Sequence, residues 1–97
     1  MPILPRRRVL VDALNSSCPY CSELMAHPPR YPSRDHIRPR SKGYTLTAEN
    51  RAIVCRRCNT DKGSLSLGRW LNRLRRAADP RAVHVEGFMR RVGIDPP

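Results

Sequence analysis

Two Cys-x-x-Cys pairs constrain this chain more than any other feature. Cys18 and Cys21 sit in CPYC, and Cys55 and Cys58 sit in CRRC. A two-residue spacer lets both thiolates of a pair reach one ion without strain. Two such pairs complete the closed tetrahedral sulfur set that structural zinc prefers. A redox pair would need a strand-helix-strand setting, which the flanking residues do not offer. With all four positions taken by sulfur, the ion is expected to build the fold rather than do chemistry. It would tie residue 21 to residue 55 and supply much of the folding free energy.

The rest of the composition explains why such a staple is needed. The chain has 97 residues, enough for one domain, with 39% hydrophobic residues and ten prolines. A chain of this length buries roughly 60–65% of its unfolded surface, which leaves a thin core. The formal net charge is +11, and 17 of the 19 basic residues are arginine. Arginine makes planar, two-pronged hydrogen bonds to phosphate, so the excess favours a polyanionic partner over a merely solvated surface. No apolar run is long enough to span a membrane. The opening MPILPRRRVLVDAL is too short and interrupted for a signal peptide. A cytoplasmic location is expected, and with it free thiols rather than disulfides.

Residues 6–14 read as a short helix, with a strand as the competing reading. HPPRYP at 27–32 cannot be a helix interior. RDHIR at 34–38 suits a short strand ended by Pro39, with a turn around Gly43 and a second strand at 51–54. A helix is expected to follow CRRC, with Asn59 at its start. Ser66 can cap a further helix to about Ala78, with Leu67, Trp70, Leu71, Leu74 and Ala78 on one stripe. Asp79-Pro80 opens a last helix with Val85, Phe88, Met89 and Val92 inward and Gly93 as its stop. The fold class is α+β.

The segment between the knuckles carries the chemistry. Metal-assisted hydrolysis of a phosphodiester needs hard oxygen ligands, a general base working near neutral pH, and positive charge around the phosphate. Asp35 and Asn59 can supply oxygen, His36 the base, and the arginines the field. Asp35 and His36 are adjacent, however, and in a regular strand they face opposite sides. Both can serve one site only if the strand bends or ends there.

The run Asp35-His36-Ile37-x-Pro39, then Ser41, Gly43, Asn50 and Cys55-x-x-Cys58-Asn59-x-x-Lys62-Gly63, resembles the HNH endonucleases. More narrowly it is similar to their zinc-stapled members with a ββα-metal (His-Me finger) core. The likeness covers residues 18–71 and implies a single domain over 1–97, with a helical extension over 66–93. It implies that Asp35 and Asn59 ligate one Mg²⁺ or Mn²⁺, and that His36 takes the proton from the attacking water. Asn50 would hold the loop that orients His36, and the products would carry a 5′-phosphate and a 3′-hydroxyl. Where the commonest family pattern has histidine first and last, this chain has Asp35 and Asn59. Oxygen ligands favour Mg²⁺ or Mn²⁺ over a softer ion.

Arg69, Arg73 and Arg76 recur along one face of the Ser66 helix and either grip phosphates or stay solvated; the overall charge favours the grip. Arg56 and Arg57 lie nearest the expected site and are the best phosphate contacts. Lys62 either touches phosphate or lies along the helix surface, and Arg6–Arg8 read as a loose basic arm. Phosphate contacts carry no sequence information directly, so sequence preference is expected to be weak. The resulting expectation is a DNA endonuclease acting on double-stranded DNA as a monomer or weak dimer, with one site and therefore nicking. Two other readings use the same cysteines and arginines: a zinc-binding DNA-recognition module without catalysis, and an accessory protein of a phage packaging assembly.

Overall fold

A computed structural model describes residues 5–38, 43, 46 and 50–97, with backbone alone for 5–7. The chain runs α1 (Pro5–Asp12), β1 (Pro32–His36), β2 (Arg51–Cys55), α2 (Arg56–Lys62), α3 (Leu67–Arg76) and α4 (Arg81–Arg91). The segment of 6–14 is thus helical rather than extended, and Arg6–Arg8 lie within α1 instead of forming a loose arm. Among the described residues no helix is long and apolar enough to cross a membrane.

β1 and β2 pair antiparallel, from Pro32 opposite Cys55 to His36 opposite Arg51. The strand ends at His36, where the sequence argument needed an end or a bend. Pro39, the residue expected to end it, lies outside the described residues, as do Ser41 and Lys42. Gly43 is described and has φ +89°, a left-handed conformation that suits the expected turn.

The β2–α2 junction has no linker. Cys55 is the last residue of β2 and also caps α2, with its Sγ accepting the Cys58 N–H at 3.4 Å. Asn59 therefore lies a full turn inside the helix, not at its start. Gly63 closes α2 at φ +58° and ψ −133°, a conformation open to glycine, while its N–H reaches the Asn59 carbonyl at 2.9 Å.

α3 begins as its sequence dictates, with Ser66 Oγ accepting from the Arg69 N–H at 3.3 Å. Leu67, Trp70, Leu71 and Leu74 are buried, each leucine contributing about 1.5–3 kcal/mol relative to exposure. Ala78, expected on that stripe, lies beyond the helix and is exposed at φ +51°. In α4, Val85, Phe88 and Met89 are buried, but Val92 is exposed and Gly93 turns the chain at φ +78°. Asp79 helps start α4 by accepting from the Arg81 N–H at 2.9 Å. α3 and α4 pack on each other, and α2 packs on both strands.

The core joins these layers. Tyr20, from between the first two cysteines, is fully buried and meets Trp70 and Phe88 edge-on, with ring centroids 5.2 and 5.3 Å apart. The four cysteines border the same core.

Candidate metal sites and nucleic-acid surface

Cys18 and Cys21 come from a tight turn closed by the Cys18 N–H on Glu23 O at 2.8 Å and the Ser22 N–H on Cys18 O at 2.7 Å. Cys55 and Cys58 come from the strand–helix junction. The four sulfurs lie within 4.8 Å of one another, and Cys21 and Cys55 are 3.7 Å apart. Tetrahedral zinc with bonds near 2.3 Å implies sulfur–sulfur edges of about 3.8 Å, so the thiols fit that ion. N–H groups of Tyr20 and Cys55 already point at Cys18 Sγ, at 3.4 and 3.3 Å, and Arg81 Nη1 reaches Cys58 Sγ at 3.7 Å. Such donors suit thiolates. A hydrogen bond from Cys58 draws the Cys18 thiol down to about 5 against its own burial. The same bond and burial hold Cys58 far above its ordinary range, and burial pushes Cys21 up to about 11. Neighbouring thiols are thus shifted in opposite directions, and a bound dication would favour the thiolate form of all four.

The second cluster lies on the other side of the junction. Asp35, His36, Asn59 and Lys62 line one pocket of about 220 Å³ with Arg34, Gly63 and Ser64. Asp35 is 4% exposed, and both its oxygens have partners. Oδ1 accepts from Lys62 Nζ at 3.1 Å, and Oδ2 accepts from the Tyr20 hydroxyl at 2.7 Å. Burial first, then the Asp35 charge, raise the Tyr20 phenol well above its ordinary value, so it remains a donor. Asn59 donates through Nδ2 to Ser33 Oγ and Arg34 O, both at 3.0 Å, which makes its Oδ1 the atom suited to a cation. One carboxylate and one amide oxygen fit a hard divalent ion, with water or substrate completing the shell.

Lys62 is the largest departure from the sequence expectation. It is buried rather than on the helix surface, and it also donates to the His36 carbonyl at 3.3 Å. His36 is half-buried at the strand end. Asn50 lies outside the pocket. Its Oδ1 accepts from the Arg38 N–H at 2.7 Å, its Nδ2 donates to Arg38 O at 3.0 Å, and its own carbonyl accepts from the Ile37 N–H at 3.0 Å. This bracket closes the end of the hairpin next to His36.

The arginines divide between two grooves. Arg56 and Arg57 are exposed and line a groove of about 430 Å³ with Pro29, Thr60, Asp61 and Arg81, distinct from the Asp35 pocket. Arg69, Arg73 and Arg76 line another of about 330 Å³ with Leu65 and Asn72. Arg73 is partly committed, with Nη2 3.2 Å from Asp61 Oδ1. Sequence reasoning missed the hub beside them. Asp61 Oδ2 accepts from Trp70 Nε1 at 3.1 Å and Arg81 Nη2 at 2.9 Å, and Arg81 grips Asp79 with three further side-chain bonds at 2.8, 3.1 and 3.2 Å. Burial alone would raise the Asp61 pKa, but the Trp70 bond and the two arginines hold it below its ordinary value. The Arg81 bonds lower Asp79 likewise. No local sequence pattern marks these contacts.

Residues 18–65 match the family model described as HNH endonuclease. This segment belongs to the HNH family. No curated protein and no solved structure gives a significant match to the chain. The HNH segment contains both knuckles, both strands, α2 and every side chain of the Asp35 pocket. α3 and α4 lie beyond it, yet supply Trp70, Phe88 and Arg81 to its supports.

Proposed function

We propose that the protein is a metal-dependent DNA endonuclease. The observation that carries this reading is one pocket, inside the HNH segment, lined by Asp35, His36 and Asn59. Asp35 and Asn59 hold one Mg²⁺ or Mn²⁺, which when bound supplies positive charge to the scissile phosphate and the departing 3′ oxygen. His36 accepts the proton of the attacking water, and Asn50 fixes the strand end from which His36 projects. The products carry a 5′-phosphate and a 3′-hydroxyl. Arg56 and Arg57 in one groove, and Arg69, Arg73 and Arg76 in the other, grip the phosphates of double-stranded DNA with weak sequence preference. One site per chain makes nicking the elementary event, in a cytoplasmic protein acting as monomer or weak dimer. Residues 1–97 act as one domain, with 66–93 as its helical extension and one zinc as its staple.

A second reading has its own observation. Lys62 and Tyr20 already satisfy both oxygens of Asp35, as they would in a DNA-recognition module or phage-assembly accessory protein without catalysis. Supercoiled plasmid distinguishes the two. The nuclease reading expects nicked product with Mg²⁺ or Mn²⁺, none with EDTA, and far less from His36→Ala. Tight binding without cutting by the wild type favours the module instead.

A further inference from the structure

The geometry points to Tyr20 as a positioning residue that aims the Asp35 carboxylate and links the zinc knuckle to the second metal site. It rests on the reading of Asp35 as a ligand for the divalent ion. Three contacts fix Tyr20 independently. Its backbone N–H is 3.4 Å from Cys18 Sγ, so its main chain belongs to the thiol cluster. Its ring is fully buried and packs edge-on against Trp70 of α3 and Phe88 of α4. Its hydroxyl, 2.7 Å from Asp35 Oδ2, is thereby held in place rather than free to follow the carboxylate.

The two partners of Asp35 differ in what they can do. Lys62 reaches Oδ1 on a flexible four-carbon stem and can share or surrender that oxygen to a dication. Tyr20 cannot leave Oδ2 without disturbing the knuckle and the aromatic core. Oδ2 is therefore the anchored oxygen, and Oδ1 is the one whose partner can yield to an ion in the pocket that Asp35 lines with Asn59. A carboxylate so held loses little freedom when it takes up an ion, which is how groups behind metal ligands raise affinity.

Tyr20→Phe keeps the ring and removes the anchor. Zinc-loaded wild type, Tyr20→Phe and Asp35→Asn would be compared by calorimetric Mn²⁺ titration, zinc analysis and plasmid nicking over a range of Mn²⁺. Tyr20→Phe is expected to retain its zinc, to bind Mn²⁺ about 10–100-fold more weakly, and to recover nicking at saturating Mn²⁺. A residue needed only for packing would lower the melting temperature and leave the Mn²⁺ affinity alone. Mn²⁺ affinity equal to wild type therefore overturns the inference. If Asp35→Asn binds Mn²⁺ as wild type does, the ligand reading itself has failed, and the role of Tyr20 fails with it. Should Tyr20→Phe lose its zinc, the wild type still decides. Its buried Tyr20 hydroxyl proton is expected to shift in NMR spectra as Mg²⁺ fills the site, and an unmoved resonance counts against the inference.

Discussion

The two clusters flanking the β2–α2 junction are built on opposite plans. At the thiol cluster, four soft ligands from one tight turn and the strand–helix junction converge on one point, and backbone N–H groups already aim at the sulfurs. At the oxygen cluster, one carboxylate and one amide share a small pocket, and protein groups occupy the carboxylate. The first is closed and serves the fold. The second holds its carboxylate between an anchored tyrosine and a lysine on a flexible stem, an arrangement that suits the proposed labile ion. A chain with a thin core can place such an adjustable site accurately only if something rigid stands beside it.

The largest expected effect tests the rigid half. Removing zinc with a strong chelator, or substituting Cys58→Ser, takes away about 10–16 kcal/mol of metal-binding free energy. Cooperative melting by circular dichroism should vanish. A metal-free protein that still melts cooperatively would break the contrast. His36→Ala tests the working half alone: nicking should fall about 10²–10⁴-fold, the usual contribution of a general base, while melting stays unchanged. Lys62→Met removes one member of a buried ion pair and should cost about 3–5 kcal/mol by urea unfolding. Bound Mn²⁺ should restore part of that loss by supplying the missing charge.

Smaller effects concern the surface. Arg56→Ala with Arg57→Ala should reduce the slope of log affinity against log salt by about 1.8 in total, if each contacts one phosphate. A slope equal to wild type would remove that groove from the DNA interface. The smallest effect is on pH. Asp61 and Asp79 have lowered pKa values in the folded state, so the stability they contribute is present above the ordinary carboxylate value near 4. It is lost as pH falls through their folded values. Asp79→Asn should flatten that acid limb in thermal melts across pH.

Much of the frame was legible in the sequence because it depends on local pattern. The Cys-x-x-Cys spacing, the Ser66 cap and the helical period of Leu67, Trp70, Leu71 and Leu74 each act within a few residues. The grouping of Asp35, His36 and Asn59 was legible through a family resemblance, not through periodicity. The partners of Asp35 were not legible. Tyr20 lies 15 residues before it and Lys62 lies 27 after it, and the contacts arise only when the zinc turn and α2 close on β1. Lys62 looked like a surface residue because charged side chains usually are; a buried carboxylate reversed that preference. The Asp61–Arg81 contact was hidden in the same way, since it joins α2 to a helix 20 residues later.

The direct passage from β2 into α2 also limits how this chain can vary in length. Cys55 is both the end of the strand and the cap of the helix, so no slack separates the sulfur ligands from Asn59. Each residue advances an α-helix by about 100°, so a single insertion between Cys58 and Asn59 would swing the amide away from Asp35 without moving any thiol. Such a chain would be expected to hold its zinc and fold, yet lose the proposed second ion. Length changes at this junction are therefore expected to separate a folded protein from a working one more cleanly than most point substitutions.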